Sequence, residues 1–264
     1  MLRAPQVREA VRLRNEALHG GDAAAAAAAA QHVDPSKPVG PTGWTEAVAP
    51  ASPLAADFTE DEDEDAPIYF DAGASTMVHP SVVRAVASAP KGNPSSLHTV
   101  GRAARAAVEG VRHQMMHYLC GGEVDAKMKL LFTASGTEAN NIAIFGHAAD
   151  CAGVLYSSIS HPSIRVVAEE VAVRTGKPVA AIKVHEDGLF DMPALAKQLK
   201  EMSDGGKKKV LVCVDIVNHE LGVVQPIESI LELVRQSNGV IHVDACQALC
   251  KVDFDGSLFD SVSV

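Results

Sequence analysis

The sequence has few aromatic residues and no long apolar run. Only 4% of its 264 residues are Phe, Trp or Tyr, and there is a single Trp. No apolar run approaches the roughly 18 residues that a membrane-spanning helix needs. The sequence therefore predicts a protein with no membrane partner, long enough for one large α/β domain or for part of a two-domain enzyme.

An excess of positive charge is also missing. The chain has 23 Lys and Arg against 33 Asp and Glu, which gives a net charge of −10. Asp57 and the acidic run at 60–65 carry seven of the negative charges, so the rest of the chain is left at −3. A nearly neutral fold lacks the basic surface that nucleic acids require, so we expect no nucleic-acid partner.

Cysteine is sparse, and the number of cysteines is odd. The five cysteines are scattered along the chain at Cys120, Cys151, Cys213, Cys246 and Cys250. This usage favours buried, reduced thiols in an intracellular protein over a disulfide framework. Cys246 and Cys250 are four residues apart, but two thiols alone do not make a metal site, so no metal is predicted.

Residues 1–65 differ from the rest of the chain. They contain an alanine run, several prolines and the acidic block. Such a segment has little apolar surface to bury, and we expect a disordered or loosely helical extension. The first residues, "MLRAPQVREAVRLRN", could form a mitochondrial transit peptide, but Glu9 and Glu16 also suit a solvated helix. The location therefore stays open between cytoplasm and mitochondrion.

Residues 66–264 show a regular alternation of short apolar runs and amphipathic segments. The runs that predict strands are "IYFDAG", "KMKLLFTA", "GVLYSSI", "KPVAAIKV", "KKKVLVCVDIVN", "GVIHVDA" and "FDSVSV". Helical patterns separate most of them. The alternation predicts an α/β fold, a three-layer α/β/α sandwich with a mainly parallel sheet. Ligands bind such sheets at the carboxyl ends of the strands.

Polar residues follow two of these strands in positions suited to binding. Ser135, Gly136 and Thr137 come at the start of a helix, where backbone N–H groups and the helix dipole favour an anion such as phosphate. The same pattern also fits an ordinary capped turn, and no Gly-Lys-Ser/Thr motif is present. His161 precedes Pro162 at a helix entry, where it could cap the helix, stack on a planar ring or move a proton.

Two further strand ends are polar. One strand ends in Asn218, His219 and Glu220, a polar turn that contains a glycine. Another ends in Asp244, with Gln247 three residues later. A buried carboxylate is costly unless it meets a cation, a metal or a protonated nitrogen, or forms a salt bridge to a lysine or arginine. Together the four strand ends offer the anion cradle, the carboxylate and the donors that pyridoxal 5'-phosphate needs.

From about Ile68 to Val264 the chain resembles the cysteine desulfurases and selenocysteine lyases of the class V aminotransferase superfamily. The resemblance is carried by "YFDAGAST", "GNPSSLHTVGRAAR", "FTASGTEANNIAI", "SSISHPSIR", "VNHELGVVQPI" and "HVDACQALCK". It implies a pyridoxal-phosphate-dependent large domain. It also implies a function: taking sulfur from L-cysteine to give L-alanine and an enzyme persulfide for iron–sulfur cluster or thio-cofactor assembly.

The resemblance also implies roles for single residues. Gly136 and Thr137 match the pair that contacts the cofactor phosphate. His161 matches the histidine that stacks on the pyridine ring and is proposed as an acid/base catalyst. Asp244 matches the partner of the ring nitrogen, and Gln247 matches a glutamine near the ring oxygen.

This chain departs from the family in one turn. The family shows Asn-Asn-Glu-x-Gly where this chain has Asn218-His219-Glu220-Leu221-Gly222. His219 therefore stands where an asparagine normally contacts cofactor and substrate. Asn218 could replace that asparagine only if the turn were shifted.

The resemblance places the lysine that holds the cofactor, the catalytic cysteine and the small domain after Val264. We therefore expect a partial large domain that is inactive by itself and that forms a homodimer in its full-length form. Sulfur-acceptor scaffold proteins are possible partners. Two alternatives stay open: a selenocysteine lyase acting on L-selenocysteine, and a non-catalytic fragment or dimerising regulator.

Overall fold

The computed structural model describes residues 69–120 and 128–264. The predicted extension at 1–65, with its possible transit peptide, lies outside the described residues and stays a prediction. The same holds for the helix stop predicted at Gly121-Gly122. The chain divides into two compact units, with the boundary between Ala104 and Arg105.

The described part of the first unit contains helix α1 (Pro80–Ser88) and the start of helix α2 (Thr99–Leu119). Pro80 occupies the first turn of α1, where a missing N–H costs nothing, as the sequence predicted. The strand predicted at "IYFDAG" is wrong over its described residues. Residues 69–71 have no regular secondary structure, and a turn follows over 72–74, where the N–H groups of Ala74 and Ser75 both donate to Asp71 O at 3.1 Å.

The second unit is the α/β part of the chain. Its elements after α2 are α3 (Gly136–Ala148), β1 (Val154–Ser157), α4 (Pro162–Thr175), β2 (Val179–Ile182), α5 (Met192–Met202), β3 (Leu211–Asp215), α6 (Ile227–Gln236), β4 (Val240–Asp244) and β5 (Ser261–Ser263). All five strands pair in parallel, in the order β2-β1-β3-β4-β5. The predicted mainly parallel sheet is therefore confirmed.

Alternate side chains of the strands point to opposite faces of the sheet and feed two separate cores. One core joins the strands to α5 and α6, through Leu155, Val212, Val214, Ile241, Val243, Leu195, Leu199, Ile230 and Val234. The other joins them to α3 and α4, through Val154, Tyr156, Leu211, Cys213, Ile144, Ile164 and Val167. Each fully buried aliphatic side chain contributes about 1.5–3 kcal/mol. Helices on both faces make the predicted three layers.

The predicted strand "KMKLLFTA" is wrong over its described residues, 128–134. These residues form no regular strand, and a cleft of about 480 Å³ is lined both by them and by β5. A strand needs a neighbour with which to share ladder hydrogen bonds, and no described strand of this chain pairs with this segment. Leu131 and Phe132 are exposed here. No helix within the described ranges is long and apolar enough to cross a membrane.

Candidate cofactor site

Side chains from five chain segments meet at the carboxyl ends of β1, β3 and β4. His161 caps α4 directly after β1: its Nδ1 accepts from Ser163 N–H at 3.1 Å. The His161 ring meets the ring of His219, from the turn after β3, with centroids 4.8 Å apart and planes at 78°. The polar turn and the ring-facing histidine of the sequence prediction are therefore neighbours in space.

His219 has an unusual environment for a histidine. Its Nδ1 is buried and has no hydrogen-bond partner among the described residues, while Nε2 lies 3.9 Å from Glu220 Oε1. A buried polar nitrogen without a partner costs about 1–3 kcal/mol. A ligand beside His161 would supply the missing partner only by displacing the groups that cover this nitrogen.

All three hydrogen bonds of the Asn218 side chain are made to backbone groups and stabilise the turn. Its Nδ2 donates to Ile159 O at 2.8 Å, and its Oδ1 accepts from the N–H groups of Glu220 and Leu221 at 3.1 and 2.9 Å. The side chain is 2% exposed. These three bonds hold Asn218 as the residue that shapes the turn, and they leave His219 as the turn residue that faces His161.

Asp244 ends β4 as a buried carboxylate, 7% exposed. Its Oδ2 accepts from Asn140 Nδ2 at 2.8 Å, and its Oδ1 accepts from Cys246 N–H at 2.9 Å. Neither donor carries a charge. In the described part of the chain no lysine or arginine forms a salt bridge with this carboxylate. The negative charge of Asp244 therefore lacks a cationic partner.

The first turn of α3 lies beside this strand end. Ser135 caps the helix by accepting from Glu138 N–H at 3.2 Å, and the helix begins at Gly136. The first N–H groups of a helix have no acceptor within it, so those of Gly136 and Thr137 can receive an anion. A Cβ on Gly136 would lie 2.8 Å from Cys246 Sγ, which places this turn against the residues that follow Asp244.

Gln247 is half-buried in the same loop as Cys246. Its Oε1 accepts from Lys251 Nζ at 2.7 Å. Its predicted contact with a ring oxygen stays a prediction, as do the other ligand contacts carried over from the family.

Four residues of this site were not singled out from the sequence: Asp215, Asn140, Ser163 and His242. Asp215 ends β3 as Asp244 ends β4, and burial, helped by the negative charge of Asp244, raises the pKa of its carboxyl to about 6. The signal was present, because "CVDIVN" and "HVDACQ" place an aspartate at the same point of two strands. Asn140 and Ser163 look like surface residues of helices in the sequence.

The cysteines divide into two groups. Cys120, Cys151 and Cys213 are buried, as expected, whereas Cys246 and Cys250 are exposed in a turn and not buried in an apolar run. Desolvation of the thiol, together with the charge of Asp244, raises the pKa of Cys246 to about 12 even though the residue as a whole is exposed. In residues 69–120 and 128–264 no cluster of His, Cys, Asp or Glu could hold a metal ion.

The residues present fit pyridoxal phosphate. A planar ring with a protonated nitrogen would supply the cation that Asp244 lacks, and a ring oxygen would supply a partner for His219 Nδ1. The first turn of α3 offers N–H groups to a phosphate. The fit is therefore based on an unpaired buried carboxylate and an unpaired buried nitrogen, both observed in this site.

Known proteins resemble the chain over the same region. Residues 68–261 match the sequence family described as aminotransferase class-V. Cysteine desulfurase IscS of Dechloromonas aromatica (strain RCB) is 35% identical over 198 residues, which cover 72% of this chain and 46% of that protein. The chain spans about half the length of the curated relatives it matches.

Solved structures agree with the sequence comparisons. A NifS-like protein from Rickettsia africae ESF-5 superposes with a TM-score of 0.63 at 27% identity, over 74% of this chain and 53% of that one. A structure of SspA in complex with cysteine gives a TM-score of 0.60 at 25% identity, over 75% and 57% of the two chains. The matched region contains strands β1 to β4 and every candidate site residue, and the chain belongs to the aminotransferase class-V family.

Proposed function

We propose that this chain is the pyridoxal-phosphate-binding portion of a cysteine desulfurase. The proposal is carried by one observation: Asp244, a buried carboxylate without a salt bridge to any described lysine or arginine, ends a central parallel strand and is connected through Asn140 and Ser163 to His161. Such a carboxylate favours a ligand that presents a protonated ring nitrogen.

Each side of the site has a distinct task in this proposal. Asp244 holds the ring nitrogen in its protonated form, and the N–H groups of Gly136 and Thr137 hold the phosphate. His161 covers one face of the ring, and His219 uses Nδ1 to bind the ring oxygen. When bound, the cofactor supplies an electron-poor ring that stabilises negative charge on the substrate carbon.

The substrate proposed is L-cysteine. Its carbon–sulfur bond breaks, the sulfur passes to an acceptor thiol as a persulfide, and the carbon that lost sulfur gains a proton to give L-alanine. Cys246 is not assigned as the acceptor, because a thiol with a pKa of about 12 is protonated near neutral pH and is a weak nucleophile. The proposal includes a homodimer and delivery of sulfur to scaffold proteins for iron–sulfur cluster or thio-cofactor assembly.

Equilibrium dialysis of the full chain against pyridoxal phosphate tests the cofactor site. We expect saturable binding that Asp244→Asn weakens by roughly tenfold or more, because a hydrogen bond to a charged group contributes about 1.5–3 kcal/mol. His79→Ala, which alters a histidine in the first unit, is the matched control and should bind like the wild type. Equal binding by the wild type and Asp244→Asn would refute the assignment of Asp244.

Substrate choice is tested separately, with cofactor present and dithiothreitol as the thiol acceptor. Sulfide and alanine formed from L-cysteine would support the desulfurase, and selective release of selenide from L-selenocysteine would favour the lyase. Cofactor binding without either product would support a binding portion that has no activity by itself.

A further inference from the structure

One buried amide connects three elements of the site. Asn140, in α3, is 0% exposed. Its Nδ2 lies 2.8 Å from Asp244 Oδ2 and 2.8 Å from Ser163 Oγ, and its Oδ1 lies 2.9 Å from His242 Nε2. An amide nitrogen has two hydrogens, and here Nδ2 donates one to Asp244 and the other to Ser163. The amide oxygen has no hydrogen, so Oδ1 can only accept from His242.

The direction of these bonds determines which atoms around His161 donate and which accept. Ser163 Oγ accepts a hydrogen bond from Asn140, so the Ser163 hydroxyl can donate its own hydrogen to His161 Nδ1, 2.7 Å away. The backbone N–H of Ser163 points at the same nitrogen from 3.1 Å. His161 Nδ1 therefore accepts two hydrogen bonds, and the neutral ring carries its proton on Nε2.

The same reasoning fixes His242, which is fully buried in β4. Asn140 Oδ1 can only accept, so His242 carries its proton on Nε2, and its Nδ1 accepts from Ser261 Oγ–H at 2.9 Å. Ser261 Oγ in turn accepts from His147 Nε2 at 2.9 Å. Burial lowers the pKa of His242 to about 4, so the ring is neutral near pH 7.

We propose that Asn140 is a positioning residue. It holds the Asp244 carboxylate in place and, by directing the Ser163 hydroxyl at His161 Nδ1, adds a second hydrogen bond to the one from the Ser163 backbone N–H, which strengthens the preference of His161 for the tautomer with the proton on Nε2. An amide that donates on one side and accepts on the other passes no proton between His242 and His161, so the network transmits orientation only. The consequence for a bound cofactor rests on the proposed function, whereas the tautomer does not.

The chain contains an internal reference for this effect. His79, Pro80 and Ser81 repeat the His161-Pro162-Ser163 cap, with Nδ1 of His79 2.6 Å from Ser81 Oγ and 3.3 Å from Ser81 N. Over the described ranges Ser81 Oγ bonds only His79, so this second cap lacks an amide that orients the serine hydroxyl. His79, which also has a further contact of its own, is therefore the reference for a cap whose serine hydroxyl no described amide orients.

Long-range ¹H–¹⁵N spectra of the full chain, labelled with ¹⁵N-histidine and free of cofactor, test the proposal. For the wild type near pH 8 we expect His161 and His242 each to show one tautomer, protonated on Nε2. In Asn140→Leu the nitrogen shifts of His161 should move toward those of His79, because the Ser163 hydroxyl is no longer oriented. Asn141→Ala is the matched control, since among the described residues Asn141 donates only within its own helix, to Thr137 O at 2.8 Å.

Ser163→Ala provides a second route in case Asn140→Leu does not fold. It removes the connection between Asn140 and His161 but keeps the backbone cap, and the same change at His161 is expected, with His242 unaffected. A wild-type His161 protonated on Nδ1, or His161 shifts unchanged in both variants, would overturn the proposal. The spectra are recorded without cofactor, so they do not depend on whether the proposed cofactor site is correct. The dialysis assay tests that site separately.

Discussion

Asp215 and Asp244 are register partners at the carboxyl ends of the adjacent parallel strands β3 and β4, and both are buried. Two carboxylates side by side in a desolvated site disfavour a second negative charge. Burial, with a smaller contribution from the charge of Asp244, raises the pKa of Asp215 to about 6 from an ordinary 3.8. The site is thus prepared for a cation even before any ligand is considered.

Asp215→Asn should stabilise the fold above pH 6. A carboxyl with a raised pKa in the folded state contributes stability below its unfolded pKa, and that contribution is lost as pH rises through about 6. Ionised Asp215 therefore costs the wild type up to roughly 3 kcal/mol at pH 8. Urea unfolding at pH 8 and pH 4 should show the variant to be the more stable protein only at the higher pH. Equal stabilisation at both would contradict the pKa argument.

His242→Gln should remove a contribution to stability whose pH dependence is opposite to that of Asp215. The pKa of His242 falls from 6.5 to about 4 on folding, so its contribution is present above 6.5 and is lost as pH falls toward 4. In the wild type this loss offsets the gain from Asp215 over nearly the same range. Without His242, we expect the free energy of unfolding to rise by roughly 2–3 kcal/mol as pH falls from 6.5 to 4. If the free energy of unfolding of the variant followed that of the wild type in parallel over this pH range, the opposing contributions of His242 and Asp215 would be refuted.

His161→Ala and His79→Ala separate capping from ligand binding. Both histidines cap a helix through Nδ1, so each variant should lose about 1 kcal/mol of stability. Only His161 touches His219, so only His161→Ala should weaken cofactor binding in the dialysis assay. Equal binding losses would show that the caps act through stability alone.

The strand ends were predictable from the sequence, because a polar residue after a run of buried aliphatic residues is a local signal. That signal located His161, His219 and Asp244, which the fold brings to one edge of the sheet. The connections between them were not predictable. Asn140 reads as one of two adjacent helix asparagines, and only the packing of α3 on the sheet decides that it is buried while Asn141 is not.

The two wrong strands have physical causes of the same kind. Aliphatic and aromatic residues in "KMKLLFTA" and "IYFDAG" favour extended backbone, but a strand is defined by its neighbour. Residues 128–134 are separated from β5 by a cleft, and the described part of "IYFDAG" closes its hydrogen bonds within a turn. Local sequence carries no information about whether a partner strand is present.

Gly136→Ala tests how tightly the first turn of α3 is packed against the loop after Asp244. An added Cβ would lie 2.8 Å from Cys246 Sγ, closer than such contacts occur, so the thiol side chain must move. The clash should cost about 1 kcal/mol, as overpacking does elsewhere.

In a Cys246→Ala background the same substitution meets no sulfur, and alanine is the better helix former. Gly136→Ala should then be neutral or slightly stabilising, so the double-mutant cycle gives a coupling free energy of at least about 1 kcal/mol. Urea unfolding of the four proteins at one pH measures it. An equal cost in both backgrounds would mean that the turn does not contact Cys246, and the placement of the N–H groups of Gly136 and Thr137 beside Asp244 would lose its support.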